Sequence, residues 1–291
     1  MKSKIPVLIA GLIAVCGGFA VSTARAQTYS AAVDSAFVSK YIWRGQRLTN
    51  DWSFQPSLTV GAGGFSFNAW GTMDLTAVNP GDGITIPEDP ERTLGDNDQG
   101  LKGQFSEVDY TFAYQRSLNN VTLGGGVIVY TFPQRSSTLA TTEEIYLKVG
   151  FDSVPLAPSA TLYIDVDETS DARSTGLYFL LGAGHSFATG NEVLTSVDLS
   201  ATLGFANDGF RHYYYGVDDP GIAHDVSVSL SAPFKINDNW TFKGFVTYSA
   251  LLGGHRDHQY SDPRDDFREI SGPPRDRADT VWGGFTLSLS F

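Results

Sequence analysis

The stretch Val193-Leu194-Thr195-Ser196-Val197-Asp198-Leu199-Ser200-Ala201-Thr202-Leu203-Gly204-Phe205 decides how the rest of the chain is read. Val193, Thr195, Val197, Leu199, Ala201, Leu203 and Phe205 form one series. Leu194, Ser196, Asp198, Ser200, Thr202 and Gly204 form the other. A period of two puts successive side chains on opposite faces of a strand, here one largely apolar and one largely small or polar. The same alternation recurs at Phe65, Phe67, Ala69, Gly71, Met73 and Leu75 and at Ala160, Leu162, Ile164 and Val166. It recurs again at Val226, Val228, Leu230, Ala232 and Phe234. About twelve such strands are expected, over 31–43, 52–62, 64–75, 104–116, 121–132, 142–152, 159–168, 175–187, 192–206, 223–234, 239–251 and 280–291. Most exceed the roughly 5–6 residues usual in globular sheets. They match the ~9–11 residues that a tilted strand needs to cross a bilayer.

The connections sort by length. Tight turns are signalled near Gly63, at Asn119-Asn120, at Gly190-Asn191 and at Asn237-Asp238, with a slightly longer one through Pro155 and Pro158. The intervening connections include 76–103, 207–222 and 252–279, rich in Asp, Pro, Gly and Arg. Alternating short and long connections predict an all-β fold. It is an antiparallel transmembrane β-barrel of about 12 strands, with short periplasmic turns and long extracellular loops. An even strand number places both termini on the periplasmic side. A soluble β-sandwich also alternates, but its strands are shorter and its loops do not sort by length. Closure favours the barrel, because an open sheet edge cannot exist in lipid. Tyr41, Trp43, Trp52, Phe54, Phe132, Trp240, Phe242, Tyr248 and Phe291 fall near strand ends, where interfacial aromatic girdles sit.

Composition agrees. Charged residues are 18% of the 291, below the roughly 25% of an average soluble domain. A net charge of −12 argues against nucleic acid as a partner, since phosphate binding needs clustered Lys and Arg. A single cysteine excludes a disulfide framework and a zinc-thiolate site. Lys2 and Lys4, the apolar run from Ile5 to Ala20 and the A-x-A site Ala24-Arg25-Ala26 read as a secretory signal peptide over 1–26. The barrel then occupies 27–291. Cleavage removes Lys2, Lys4, Arg25 and Cys16, leaving a more acidic chain with no thiol. The address implied is the outer membrane of a Gram-negative-type cell, with the lipid bilayer and lipopolysaccharide as partners.

Two short segments carry a resemblance. Thr286-Leu287-Ser288-Leu289-Ser290-Phe291 looks like the terminal strand by which the barrel-assembly machinery recognises outer-membrane proteins. Ser39-Lys40-Tyr41-Ile42-Trp43-Arg44-Gly45-Gln46-Arg47-Leu48-Thr49 carries S-x-Y-x-aromatic-R-G-x-x-x-T. This pattern resembles the first strand and loop of the TorF-like porin family, also called Gcw_chp. The motif spans about eleven residues, and the connections at 76–103 and 252–279 are longer than that family leads one to expect. The resemblance implies an outer-membrane porin and specifies no solute.

In a pore the chemistry lies on the inward face. With the apolar series toward lipid, the pore-lining charges are Lys40, Arg44, Asp74, Glu107, Asp109, Glu144, Lys148, Asp165, Asp167, Asp198 and Asp225, with Asp34 and Lys243 beside them. Most of the acids fall at strand ends that share the outer mouth. Acidic rings favour cations, so a mildly cation-preferring passage for small ions or solutes is expected. Solvated strand ends account for single residues equally well. Lys40 and Arg44, four apart in the first strand, either line a constriction opposite the acids or serve structure. For Arg44, next to Gly45 at a strand exit, tying loop carbonyls and carboxylates together is the favoured role. Gly124, Gly125, Gly126, Gly182 and Gly184 read as bends or as seats for an inward-folded segment.

His212, His224, His255 and His258 fall in or beside outer loops, and Asp96-Asn97-Asp98-Gln99-Gly100 lacks the spacing of a calcium loop. Neither pattern fixes a nucleophile, base and orienter. No enzyme, cofactor or metal centre is expected. The rival readings are a plugged structural or adhesive barrel and, behind it, a hydrolase with its site in the extracellular loops.

Overall fold

The computed structural model describes residues 29–49, 51–76, 85–86, 89–93, 102–134, 141–167, 175–215, 222–253 and 279–291. The segment 1–26, the Asp96–Gly100 run, His255 and His258 lie outside the described residues. The elements are β1 (Tyr29–Val38), β2 (Tyr41–Trp43), β3 (Gln46–Thr49), β4 (Ser53–Ala62), β5 (Phe65–Asp74), β6 (Thr85–Ile86), β7 (Asp89–Thr93) and β8 (Phe105–Leu118). They continue with β9 (Val121–Thr131), β10 (Thr141–Gly150), β11 (Ser159–Asp165), β12 (Leu177–Ala188), β13 (Ser196–Ala206), α1 (Asp208–Tyr215), β14 (Ala223–Lys235), β15 (Trp240–Leu251) and β16 (Asp279–Ser290).

The fold is a closed antiparallel barrel in the order β1-β16-β15-β14-β13-β12-β11-β10-β9-β8-β5-β4, with β4 returning to β1. These are the twelve strands the alternation marks, with ends shifted by a few residues. Closure pairs the first strand with the last. β1 pairs with β16 from Ala32↔Ser290 to Val38↔Gly284, and the Phe291 amide donates to the Ala31 carbonyl at 2.9 Å. The turns 63–64, 119–120, 151–158, 189–195 and 236–239 share one rim with Tyr29 and Phe291. The opposite ends of the strands, from which the longer connections leave, form the other.

Register assigns the faces. Leu199, Leu230 and Val246 lie side by side across β13, β14 and β15, and all are exposed. Phe54, Phe37, Phe285 and Phe242 pack in a row across β4, β1, β16 and β15, with ring centroids 5.0, 5.2 and 5.8 Å apart. An apolar belt around a closed barrel is the exterior of a membrane barrel. The opposite face carries small hydroxyls, as in Ser227, Ser249 and the Thr247–Ser229 pair, the last bonded at 2.9 Å.

Four sequence expectations change. The first strand was expected to run over 31–43, but β1 ends at Val38. There the Ser39 amide donates to the Gly283 carbonyl (2.8 Å), and the Gly283 amide donates to Ser39 Oγ (3.1 Å). The chain then leaves the wall and returns as the β2–β3 hairpin. Lys40 and Arg44 therefore do not share a strand face. Lys40 lies in the bend after β1, and Arg44 lies in the hairpin turn. Tyr41 and Trp43 accordingly leave the expected girdle. Tyr41 is buried against Trp70 at 5.5 Å, and Trp43 packs on Tyr130 at 6.5 Å. Among the strand glycines, Gly126 seats a ring from the neighbouring strand rather than a loop. A Cβ there would lie 2.8 Å from Tyr146 Cε1.

Leu230, near the middle of β14 on the lipid side, tests the assignment of faces. Leu230→Arg should destabilise the barrel folded in vesicles by about 2–4 kcal/mol. Ser229→Arg, one residue along and facing the lumen, should cost far less. Denaturant unfolding of the two variants measures the difference, and equal losses would contradict the register.

Candidate functional site

The site is built by the connection from β1 to β4. Its two-residue turn, Arg44-Gly45, has φ of 47° and 81°, the left-handed pair that closes a tight hairpin. The base is fastened on both sides. Ser39 bonds to β16, as above. The Tyr41 amide donates to Thr49 Oγ1 (2.9 Å), which in turn lies 3.1 Å from Ser53 Oγ at the start of β4. From this base the hairpin points into the lumen.

It reaches the far wall. The circular strand order puts β11 and β12 opposite the β1–β4 seam, with β10 and β13 beside them. Arg44 nevertheless forms a bidentate pair with Glu144 on β10, Nη1 to Oε1 at 2.7 Å and Nη2 to Oε2 at 2.6 Å. The Tyr130 hydroxyl on β9 donates to the same Oε2 at 2.8 Å. The guanidinium carbon lies 4.5, 4.6, 4.3 and 5.1 Å from the ring centres of Trp43, Tyr163, Tyr178 and Phe210. On the remaining side Gly45 abuts β14 and β15. A Cβ at Gly45 would lie 2.6 Å from Asp225 Cβ and 2.7 Å from Leu251 Cδ2. With Tyr41 against Trp70 on β5, the hairpin touches the wall on several sides and narrows the bore at this level.

The electrostatics follow from the register. Glu144 and Asp165 face each other directly across β10 and β11, and like charges so placed repel. Arg44 compensates the first. The Tyr214 hydroxyl from α1 donates to Asp165 Oδ2 at 2.9 Å. The Tyr178 hydroxyl donates to Asp225 Oδ1 at 2.8 Å. Arg44 and Glu144 are almost wholly enclosed, with side-chain exposures of 8% and 1%. Burial opposes the Arg44 charge, but Glu144, by charge and hydrogen bond, overrides it and raises the guanidinium pKa. In the bend, burial and then the nearby Arg47 lower the pKa of Lys40.

Of the pore-lining residues expected from sequence, the fold gathers Arg44, Asp74, Glu107, Asp109, Glu144, Asp165 and Asp225 near the long-connection rim. Thr72 pairs with Glu107 and Trp70 with Asp109, so both acids face inward. Asp74 ends β5 and is buried. Lys148 and Asp198 face the lumen nearer the short-turn rim. Lys148 pairs with Thr161, and Asp198 accepts from Ser186 Oγ at 2.6 Å. Asp167 lies beyond β11, its amide donating to Asp165 Oδ1. His224, read beside a loop, is the extra residue of a bulge between β13 and β14. It is fully buried, with its ring 6.0 Å from Tyr178 and 5.6 Å from Phe210. Among the described residues no cluster of three or more His, Cys, Asp or Glu side chains is placed to hold a metal ion.

Sequence reasoning missed the aromatic partners. Tyr146, Tyr163 and Tyr178 form a lateral row across β10, β11 and β12, with centroids 5.8 and 6.0 Å apart. The available signal was their parity, which places aromatics on the face otherwise small and polar. Helix α1 lay inside the expected loop 207–222. Asn207 caps it, its Oδ1 accepting from the Phe210 amide at 3.0 Å.

Fold and site together define a closed antiparallel barrel with an apolar exterior, its bore crossed by its own first connection. Among solved structures, the chain is similar to the NanC porin, at 12% identity over 90% of this chain and 98% of that one, TM-score 0.47. It is similar also to an outer-membrane channel from Pseudomonas putida F1, at 10% identity over 94% and 98%, TM-score 0.43. A third is an anion-selective porin from Comamonas acidovorans, at 10% identity over 91% and 99%, TM-score 0.35. Barrels this distant need not share a solute. No protein-family model matches the chain, and no curated protein matches it, so the TorF-like resemblance rests on residues 39–49 alone.

Removing the charge of Glu144 leaves Arg44 enclosed without its counterion. Glu144→Gln should cost about 3–5 kcal/mol, the penalty of breaking a buried ion pair, in denaturant unfolding of the refolded barrel. A loss below about 1 kcal/mol, the value of an exposed pair, would show that Glu144 does not hold the hairpin. Gly45→Ala adds both a clash and a disfavoured φ. It should expose the Arg44 and Arg47 peptide bonds of the folded barrel to trypsin, read by mass spectrometry of the fragments.

Proposed function

We propose that this protein is an outer-membrane channel of porin type, for passive diffusion of small ions or solutes. The observation that carries the reading is the contrast of faces. An apolar exterior surrounds a lumen lined by serine, threonine and charged side chains. A lumen of that lining holds water. The long connections face outward from the cell, and β16 with its terminal Phe291 presents the strand that the assembly machinery reads. Residues 39–49 support membership of the TorF-like porins.

The passage is mildly cation-preferring. Toward the short-turn rim Asp34 and Asp198 are balanced by Lys148 and Lys243. Toward the outer rim five acids, Asp74, Glu107, Asp109, Asp165 and Asp225, stand against Lys40 and Arg47 once Glu144 is neutralised by Arg44. Conductance is set by the gaps around the hairpin. The hairpin itself favours a second reading, a plugged barrel with a structural or adhesive role.

Single-channel current of the refolded mature protein under a KCl gradient tests this. Discrete steps with a cation-side reversal potential are expected. Anion-side reversal would keep the channel and remove the acidic-mouth argument. A folded, inserted barrel with no current would favour the plugged reading.

A further inference from the structure

The hairpin is held in the lumen by a side chain bound as a ligand would be. Apart from Trp43, the groups around the Arg44 guanidinium belong to the wall and to α1. They are the Glu144 carboxylate and the rings of Tyr163, Tyr178 and Phe210, with Tyr130 orienting the carboxylate. A planar guanidinium matches both parts. Its fork fits a carboxylate bidentately and its faces stack on aromatic rings, which an ammonium does less well. Beneath the group the lumen continues as a cavity of about 300 Å³, lined among others by Asp225, Ser227, Ser249 and Trp282. Arg44 also holds a φ of 47°, which side-chain-bearing residues rarely adopt, so contacts elsewhere must maintain the turn.

We propose that the 41–49 hairpin is a plug latched by Arg44 as a tethered ligand, and that Glu144, Tyr163, Tyr178 and Phe210 form a binding site for guanidinium-bearing solutes whenever Arg44 leaves it. The inference rests on the channel reading above. A buried carboxylate left without a cation is unfavourable, so an emptied site takes up a proton or a cation, and a guanidinium also gains the stacking on the rings. Tethering gives Arg44 a local concentration of about millimolar or more, so free guanidinium competes weakly with the intact latch and fills the site readily once the tether is gone.

Arg44→Gly removes the side chain and suits the turn, because glycine adopts positive φ freely. Refolded into planar bilayers, this variant should conduct several-fold more than the wild type. Ethylguanidinium chloride should lower that current in a saturable way, and sodium chloride at equal ionic strength should not. Ethylguanidinium should also raise the thermal unfolding midpoint of the variant and leave that of the wild type unchanged. Arg44→Lys keeps a cation beside Glu144 and so protects folding. It should conduct at an intermediate level and respond to ethylguanidinium. Wild-type and variant channels of equal conductance, with no response to ethylguanidinium, would overturn the latch and leave the channel reading standing. Folded barrels that pass no current in any form would overturn both.

Discussion

A strand in hydrocarbon cannot leave its N–H and C=O groups unpaired, and this requirement organises the whole molecule. It is met by pairing the first strand with the last. β1 and β16 bond from Ala32↔Ser290 to Val38↔Gly284, and the Phe291 amide adds a final contact to Ala31. Once the sheet is closed, every side chain has only two places to go. The period of two then separates an apolar exterior from a polar lumen with no further instruction.

Closure also creates the problem that the site resolves. Acids at strand ends that would be solvated on an open sheet are brought to one level inside a narrow tube. Glu144 and Asp165 become direct neighbours, and Asp225 is turned inward beside a bulge. Compensation comes from different sources. Arg44 supplies a charge to Glu144, while the tyrosine hydroxyls of Tyr214 and Tyr178 donate to Asp165 and Asp225. The aromatic rings that carry those hydroxyls also stack on the guanidinium. Charge neutralisation and plugging of the bore are therefore one arrangement.

The first connection joins two adjacent strands, β1 and β4, and folds inward as a closed hairpin. Its base is tied to β16 through Ser39 and to β4 through Thr49 and Ser53. A segment anchored on rigid strands places its tip reproducibly. The tip is a turn whose Gly45 can press against Asp225 and Leu251, where any side chain would collide.

The alternation of residues such as 193–205 determined by itself that the chain forms a twelve-stranded barrel, and the sorting of connections by length determined its two rims. Both are local properties, because face and turn type are set by neighbours along the chain. Parity also marked Glu107, Asp109, Glu144, Lys148, Asp165, Asp198 and Asp225 as inward. What the sequence could not determine was where 39–49 goes. Strand spacing reads Tyr41 and Trp43 as the end of the first strand, and only the bond of Ser39 to Gly283, a residue 244 positions away, turns the chain inward. The pairing of Arg44 with Glu144 depends on the circular order of the strands, which sets β11 and β12, with β10 beside them, across the lumen from the β1–β4 seam. That order is a property of the closed barrel as a whole, and only the tertiary structure could decide it.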